Sequence, residues 1–368
     1  MSVPGQPVDT GGPEGGSGHW VIQPLQGWHL PLLDDPAFLP LQPLLQRSLL
    51  LAFPERLLTA LVHRPPLASE VLVALRTLSS GRHQVMGLSI CRRLNRSGTS
   101  WQVEHLRLAL QPQEDAAAPS RHAVAAALLR EAIQRARGAT SWIASASSLD
   151  STRLAVLREQ GFQPQRTDQF WRWQADAASG PGAALPAHLQ LRPLNRRNAS
   201  LLWHLEQATC PAQLRQLLDR RIEDLLDQSG NKGLLLVDTS RNEAVAGVRW
   251  LADQPGGGQR VEFTLHPAWL QLLGPAGELL LRRYAPPGST LWLVSDGADS
   301  ARHDWLQRLG AEPQGEQVLM ARSVWRRHGP QPAERAARRI EAVLEQFQPR
   351  RRPLPTPVGP LGSGAAQL

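Results

Sequence analysis

Short apolar runs and two longer helical patterns divide the chain into two halves with the same order of elements. In the first half, apolar and polar residues alternate from Ser100 to Leu110, which predicts a half-buried strand. The Ala- and Leu-rich stretch from His122 to Ala136 predicts a helix. In the second half, Arg260–His266 and the shorter Gly274–Tyr284 are the counterparts of these elements. The pattern therefore predicts an α/β unit with a mixed sheet in each half.

Two segments that lie 149 residues apart have nearly the same sequence. Asp150–Gln165 (DSTRLAVLREQGFQPQ) and Asp299–Gln314 (DSARHDWLQRLGAEPQ) are identical at seven of sixteen positions, which indicates an internal repeat. In both segments the first Asp is typical of a helix N-cap, and the Gly is typical of a helix end. Strands are predicted around the repeat in matching pairs: Val21–Leu25 and Gln190–Leu194, Gln84–Arg93 and Ala244–Ala252, Thr140–Ser148 and Ser289–Gly297, Asp168–Trp173 and Glu316–Trp325.

The repeat predicts two domains, at residues 19–174 and 188–327. The Ala-, Gly- and Pro-rich residues 175–187 are predicted to link them. Residues 1–18 are predicted to be a disordered tail, and residues 328–368 a basic amphipathic helix followed by a second disordered tail.

The composition is typical of a soluble protein of the cytoplasm. Apolar residues make up 42% of the chain and charged residues 20%, as in ordinary globular domains. Unbroken apolar runs are too short to span a membrane, and the N-terminus lacks the basic and apolar parts of a signal peptide. Cys91 and Cys210 are the only cysteines, so no disulfide framework is expected, and the eleven histidines show no metal-ligand spacing.

The net charge of +8 does not by itself predict nucleic-acid binding, because most of it lies in one segment. Residues 322–352 contain nine Arg and three Glu, so the remainder of the chain is nearly neutral. The chain has a single lysine, Lys232, beside 39 arginines, which is more typical of codon bias than of selection for phosphate binding. We therefore do not expect a nucleic-acid partner, although an interaction through the C-terminal tail stays an alternative.

The order of elements resembles that of a GNAT-type N-acetyltransferase, and the chain resembles two such domains in tandem. This family has the signature Q/R-x-x-G-x-G/A at the start of the helix that follows the fourth strand. In the second half, QLLGPA places Gln271, Gly274 and Ala276 at the three signature positions. The resemblance implies that the unpaired N–H groups of this helix start hold the diphosphate of acetyl-CoA. Pro275 has no N–H and removes one donor.

The first half has a degenerate form of the same signature. Ser120, Ala123 and Ala125 lie at the three positions, and the Ala123 methyl group stands where the backbone would be bare. Arg121 could restore part of the attraction for a diphosphate. The alternative is that both helix starts are ordinary and hold no ligand.

A second family pattern, in which an Asn is followed by a Tyr and a Gly-Phe pair, appears with substitutions. Asp150 and Asp299 occupy the Asn position, and Leu157 and Leu306 occupy the Tyr position. In the family this Tyr usually protonates the leaving thiolate, which a leucine cannot do. Tyr284 is the only tyrosine in the chain.

The family often uses a carboxylate on the splayed fourth strand to accept the proton of the amine. Glu104 and Glu262 lie on the corresponding strands, so the resemblance implies that they are the catalytic residues. The alternative is that they are the outward-facing polar residues of alternating strands.

The resemblance implies transfer of an acetyl group from acetyl-CoA to an amine of a small molecule or a protein, with one half catalytic and the other structural. Two alternatives stay open. The chain could be an inactive scaffold that binds acyl-CoA or a partner protein, or it could associate with nucleic acid through its Arg-rich tail. No metal ion and no membrane partner are expected.

Overall fold

A mixed sheet of twelve strands forms the centre of the protein in a computed structural model. The structure describes residues 20–50, 69–78, 80–110, 119–175, 185–229, 232–254 and 257–323. These residues belong to one compact unit, Met1–Val324. The predicted tails, most of the predicted linker and the predicted C-terminal helix lie outside the described residues.

The first half contains six strands and three α-helices within the described ranges. In chain order they are β1 (Trp20–Pro24), α1 (42–50), β2 (Glu70–Thr77), β3 (His83–Arg93), β4 (Ser100–Leu108), α2 (Arg121–Arg135), β5 (Ser141–Ser147), α3 (Ser151–Glu159) and β6 (Gln163–Gln174). Two short 3-10 helices, Gly27–Leu32 and Leu39–Leu41, lie between β1 and α1.

The second half repeats this plan with six strands and five α-helices in its described part. They are β7 (Leu189–Pro193), α4 (Ala199–Thr209), α5 (Ala212–Leu218), α6 (Ile222–Ser229), β8 (Gly233–Asp238), β9 (Glu243–Asp253), β10 (Gln259–Leu265), α7 (Pro275–Tyr284), β11 (Thr290–Asp296), α8 (Ser300–Arg308) and β12 (Glu312–Ser323). A 3-10 helix, Pro267–Leu272, precedes α7. The predicted α/β fold with a mixed sheet is confirmed.

The helix ends in the repeated segment form as the sequence predicts. Asp150 caps α3 by accepting a hydrogen bond from the backbone N–H of Arg153 at 2.9 Å. Asp299 caps α8 in the same way, with Arg302 N at 3.0 Å. The glycines that follow these helices, Gly161 and Gly310, both have φ of 83°, a left-handed conformation in which glycine avoids the strain of a Cβ.

The two halves exchange their last strands. The strand order is β1-β2-β3-β4-β5-β12-β6-β11-β10-β9-β8-β7, so β12 lies next to β5 of the first half and β6 lies next to β11 of the second. The exchange follows the repeat: Gln163 pairs with Ala321, and the equivalent pair is Glu312 with Arg172. The halves are therefore related by an approximate two-fold axis between β12 and β6.

The exchanged strands carry core side chains into the opposite half. Met320 of β12 is fully buried in the core that α2 and α3 form with the first half of the sheet. Trp171 and Trp173 of β6 are buried in the core of the second half, and the indole N–H of Trp171 donates to Ser295 Oγ at 2.8 Å. Each hydrophobic core is thus complete only when the strand of the other half is present.

Helix α5 of the second half also packs against the first half. The hydroxyl groups of Ser100 and Ser141 donate to the carbonyl of Leu217 at 2.8 and 2.5 Å. In the loop between β3 and β4, Arg96 donates to both carboxylate oxygens of Asp227 at 2.6 and 2.8 Å. These contacts add a second polar and apolar interface to the shared sheet.

The described residues include neither a membrane-spanning helix nor a metal-binding cluster. No helix among them is long and apolar enough to cross a membrane. They also contain no group of three or more His, Cys, Asp or Glu side chains that could hold a metal ion.

Candidate active site

The parallel strands β4 and β5 separate part of the way along their length. Among the described residues they pair only from Ser100 with Ser141 to Val103 with Ala144. In the antiparallel pairing with β3, Val103 lies opposite Cys91 and His105 opposite Ile90. Glu104 is therefore the extra residue of a β-bulge, and it lies where the strands separate.

The second half opens at the equivalent place. Within the described chain, β10 and β11 pair only through Gln259 with Leu291 and Arg260 with Trp292. Glu262 lies two residues further along β10. The bulge of this half is on β9 and not on β10, because the register with β9 shifts between Arg260 and Val261. The structure thus places Glu104 and Glu262 at matching positions, each beside an opening between parallel strands.

Glu104 is held by one ion pair. Its Oε1 lies 2.7 Å from Nε of Arg92 in this ion pair, and 17% of the Glu104 side chain is exposed. The other carboxylate oxygen has no hydrogen-bond partner among the residues that the structure describes. It is consequently available to water or a ligand.

Glu262 is held in a larger network of charges. It accepts a hydrogen bond from Nη2 of Arg249, whose side chain is only 1% exposed. Nε of Arg249 also pairs with Glu206 at 2.9 Å, and Nη1 donates to Gln228 at 3.3 Å. The Arg249 guanidinium therefore joins two carboxylates inside the second half.

This network makes Glu262 a weak base. Burial by itself raises the pKa of Glu262, but attraction from Arg249 and three further arginines outweighs burial and holds the pKa below its ordinary value of 4.5. The further arginines are Arg220, Arg166 and Arg260. A carboxylate stabilised in this way gains little from accepting a proton.

The start of α2 holds the four residues predicted to bind the cofactor in the first half. The Ser120 hydroxyl accepts a hydrogen bond from the backbone N–H of Ala123 at 3.1 Å. The Arg121 guanidinium donates to the carbonyl of Ala109. Ala123 is exposed, whereas Ala125 is buried in the core. One of the amides that a diphosphate would use is thus already satisfied by Ser120.

The start of α7 is more open. Gly274 is the N-cap residue, and no side chain caps this helix. A Cβ at Gly274 would meet only the carbonyl of Gln271, at 3.9 Å. Gln271 is exposed and Ala276 is half-buried. The second half therefore retains the better space for a ligand at its helix start, although Pro275 donates no N–H.

Two glycines at this helix start differ in their surroundings and allow a matched test. A Cβ at Gly277 would lie 2.8 Å from the carbonyl of Leu272 and 3.2 Å from the ring of Trp305. We expect Gly277→Ala to destabilise the fold by about 1–3 kcal/mol through overpacking, whereas Gly274→Ala should change stability by less than about 1 kcal/mol. Urea unfolding measures both, and equal effects would contradict this packing.

The opening of the second half is occupied by a side chain. Nη1 of Arg302, in α8, donates to the backbone carbonyl of Phe263 at 3.1 Å, and Nε of Arg302 pairs with Asp299 at 3.1 Å. The Phe263 ring stacks on Trp305, with 5.1 Å between the ring centroids. A ligand that adds to β10 as a strand would have to displace Arg302 from this carbonyl.

Sequence reasoning missed three basic residues at the opening of the first half. Arg153 is the counterpart of Arg302 in the repeat, and its neighbours on β4 are His105 and Arg107. Burial, and to a smaller extent repulsion from nearby arginines, together lower the pKa of His105 to about 4. The identity of Arg153 and Arg302 in the repeat was the available sequence signal.

The leucines at the family's tyrosine position belong to the cores. Leu157 is 1% exposed and Leu306 is 2% exposed. Tyr284 lies at the end of α7 and packs against the second core, and burial followed by repulsion from Asp253 raises its pKa to about 12. The described residues thus offer no tyrosine at either opening.

A separate surface cleft of about 480 Å³ lies at the opposite ends of β10 and β11. It is lined by Arg172, Asp253, Gly257, Gly258, Gln259, Gly288, Ser289, Thr290 and Trp292. Because β10 and β11 pair at this end and separate at the other, the cleft is distinct from the opening beside Glu262.

Similarity to known proteins is found at the level of structure. No protein-family model matches the sequence, and no curated protein matches it significantly. A GCN5-related N-acetyltransferase from Sphaerobacter thermophilus aligns with 83% of this chain and 95% of its own, at 12% identity and a TM-score of 0.51. A tandem GNAT protein from the clavulanic acid biosynthesis pathway aligns with 83% of this chain and 98% of its own, at 17% identity and a TM-score of 0.48. By the first of these similarities and the strand topology, the chain has the fold of the GCN5-related N-acetyltransferases.

Proposed function

We propose that the chain is an acyltransferase that moves an acyl group from acyl-CoA to an amine, and that the first half performs the reaction. The observation that carries this proposal is the separation of β4 from β5 at the bulged residue Glu104. Beyond Val103, the edge of β4 that faces β5 can pair with the amide groups of a pantetheine arm as with an added strand. Acetyl-CoA is the donor that the sequence resemblance implies.

In this proposal Glu104 accepts the proton of the amine. Its Oε1 is fixed by Arg92 at 2.7 Å, which orients the carboxylate, and its free oxygen receives the proton directly or through one water molecule. Backbone N–H groups of β4 at the opening stabilise the negative charge that develops on the carbonyl oxygen. Water supplies the proton of the leaving thiolate, because Leu157 is buried and cannot donate.

The second half supports the first and does not turn over substrate. In the opening of the second half, Arg302 donates a hydrogen bond to the Phe263 carbonyl, and Arg249 forms an ion pair with Glu262. Its strand β12 completes the sheet and the core of the first half. The acceptor is an amine-bearing small molecule or protein. A reducing compartment such as the cytoplasm suits the two free thiols, Cys91 and Cys210.

Exchange of Glu104 for glutamine tests the base. We expect Glu104→Gln to lower kcat/KM by about 10²- to 10⁴-fold, since the amide cannot accept the proton. Glu262→Gln is the matched control and should leave kcat/KM within about threefold of wild type, because the opening beside it is occupied. The measurement is thiol release from acetyl-CoA with a panel of amines and peptides. A loss of activity in the Glu262 variant alone would assign the reaction to the second half.

A scaffold without turnover is the second candidate. It is favoured by the buried leucines at the tyrosine position and by Ser120, which already caps α2. Calorimetry with acetyl-CoA distinguishes the candidates: binding without thiol release for any acceptor supports the scaffold. No heat at millimolar acetyl-CoA would contradict the acyltransferase and leave only a scaffold that binds a partner protein.

A further inference from the structure

Arg153, in the first turn of α3, has no hydrogen bond or ion pair from its guanidinium to any described residue. Its Nε is shielded from solvent and makes no hydrogen bond, which is also true of Nε of Arg302. Its counterpart Arg302 has two contacts, one to Asp299 and one to the Phe263 carbonyl. The guanidinium of Arg302 thus has one hydrogen bond and one ion pair to protein atoms, whereas that of Arg153 has neither within the described residues.

The surroundings of Arg153 are positively charged. Burial lowers its pKa, repulsion from Arg107 lowers it further, and attraction to Asp150 opposes both. Asp150 is engaged in capping α3 through the backbone N–H of Arg153. Arg107 is exposed, and its side chain has no hydrogen bond or ion pair to the described part of the chain. Asp150, the acidic residue nearest to Arg153 in the sequence, is thus already used as a helix cap. The charge around Arg153 therefore stays positive.

These arginines lie beside the opening of the first half. Arg107 is on β4, three residues beyond the bulged Glu104 and past the last pair with β5. Arg153 follows β5 on the other side, and its electrostatic neighbours His105 and Arg107 are both on β4. The two guanidinium groups therefore belong to opposite edges of the same opening.

A buried cation without a partner destabilises a fold, and natural proteins pair such groups with an acid or with a ligand. Guanidinium groups bind carboxylates and phosphates through paired N–H donors. The second half satisfies its arginine with protein atoms and closes its opening. In the first half, neither Arg153 nor Arg107 makes a hydrogen bond or ion pair with a described residue. Both guanidinium groups are therefore available to a ligand in the opening.

We propose that Arg153 and Arg107 form an oxyanion-binding subsite in the opening between β4 and β5, which holds an anionic group of the acyl donor. The identity of the donor as an acyl-CoA rests on the function proposed above. The oxyanion is either a carboxylate at the end of the acyl chain, as in a succinyl group, or a phosphate of CoA. Guanidinium groups bind a carboxylate and a phosphate through the same N–H donors, and binding experiments distinguish the two.

The test compares Arg153→Gln with two control variants of the full-length chain. Arg158→Gln removes an exposed arginine from the same helix, and Arg302→Gln removes the counterpart from the second half. Calorimetry measures the affinity of each protein for acetyl-CoA, succinyl-CoA, dephospho-CoA and inorganic diphosphate. Circular dichroism at the temperature of the calorimetry checks that the variants are folded.

We expect Arg153→Gln to lower the affinity for at least one of these ligands by about 10- to 100-fold, the usual effect of losing a hydrogen bond to a charged group. Arg158→Gln should bind within about twofold of wild type, and Arg302→Gln should not weaken the binding of any of the four ligands by more than about twofold. If wild type prefers succinyl-CoA to acetyl-CoA and Arg153→Gln abolishes that preference, the oxyanion is the acyl carboxylate. If Arg153→Gln lowers the affinity for all the CoA ligands and for diphosphate together, the oxyanion is a phosphate.

The failure of this subsite is distinguishable from failure of the proposed function. If wild type binds diphosphate through Arg153 but binds no CoA derivative, the subsite proposal stands and acyl-CoA is excluded as the donor. Arg153→Gln that binds all four ligands as wild type does would overturn the subsite and leave the acyltransferase proposal intact. Wild type that binds none of the four ligands would contradict both proposals.

Discussion

Arg249→Leu is expected to destabilise the protein by about 3 kcal/mol, the lower end of the usual effect of breaking a buried ion pair. Arg249 is 1% exposed and forms ion pairs with Glu206 and Glu262 at once. Leucine fills part of the space but leaves both carboxylates without this partner. Glu206 is 12% exposed and Glu262 is 38% exposed, so water screens Glu262 and most of the effect arises at Glu206.

The loss of stability should depend on pH in a defined direction. In wild type the pKa of Glu262 lies below its ordinary value of 4.5. Its ion pair therefore stabilises the fold above that value, and this contribution disappears as the pH falls through the folded-state pKa. The difference between wild type and Arg249→Leu should be largest near pH 7 and should shrink as the pH falls below about 4, where Glu262 takes up a proton.

Urea unfolding at pH 7 and at pH 4 measures this effect. Arg172→Leu is the matched control, because the Arg172 side chain is 45% exposed and lies 3.6 Å from Glu312. That surface pair should contribute less than about 1 kcal/mol. Equal unfolding free energies for Arg249→Leu and wild type at pH 7 would show that the Arg249 network contributes no stability.

Met320→Ala is expected to destabilise the protein by about 2–5 kcal/mol, and its effect should appear in the first half. Met320 belongs to the last strand of the second half but is fully buried in the core beneath α2. It pairs with Ala144 of β5. Truncation to alanine removes buried methylene groups and leaves a cavity, which is the usual cause of losses of this size.

Hydrogen exchange locates the effect. The amides of β5 and α2 should exchange faster in Met320→Ala than in wild type, because local opening depends on the packing of the surrounding core. Glu316→Gln, at an exposed position of the same strand, should leave these rates unchanged. Faster exchange confined to the second half would contradict the strand exchange.

The elements could be predicted from the sequence because their signals are local. Alternation predicted β4 and β10, and the Ala- and Leu-rich pattern predicted α2 to within one residue at each end. The caps at Asp150 and Asp299 follow from side chains that bond to backbone groups three residues away. The strand β2 was not singled out, because Leu72 to Leu75 form a continuous buried apolar run without alternation.

The candidate site could be predicted only in part. The sequence placed Glu104 and Glu262 on the correct strands, and the structure puts both beside openings in the sheet. It did not reveal that Arg249 neutralises one of them, because Arg249 lies on a neighbouring strand and pairs through register. Nor did it reveal that Arg302 contacts Phe263, 39 residues away in the chain.

The sequence by itself determined the repeat, the order of helices and strands and the residue types at each opening. These depend on periodicity and on contacts between close neighbours in the chain. Only the tertiary structure decided which half supplies the last strand of each core, which glutamate is neutralised and which opening a side chain occupies. Both halves carry equivalent strands with nearly equivalent pairing groups. The exchanged strands join residues more than 100 positions apart, and the contacts of Arg249 and Arg302 join residues 13 and 39 positions apart, so the local pattern contains no signal for them.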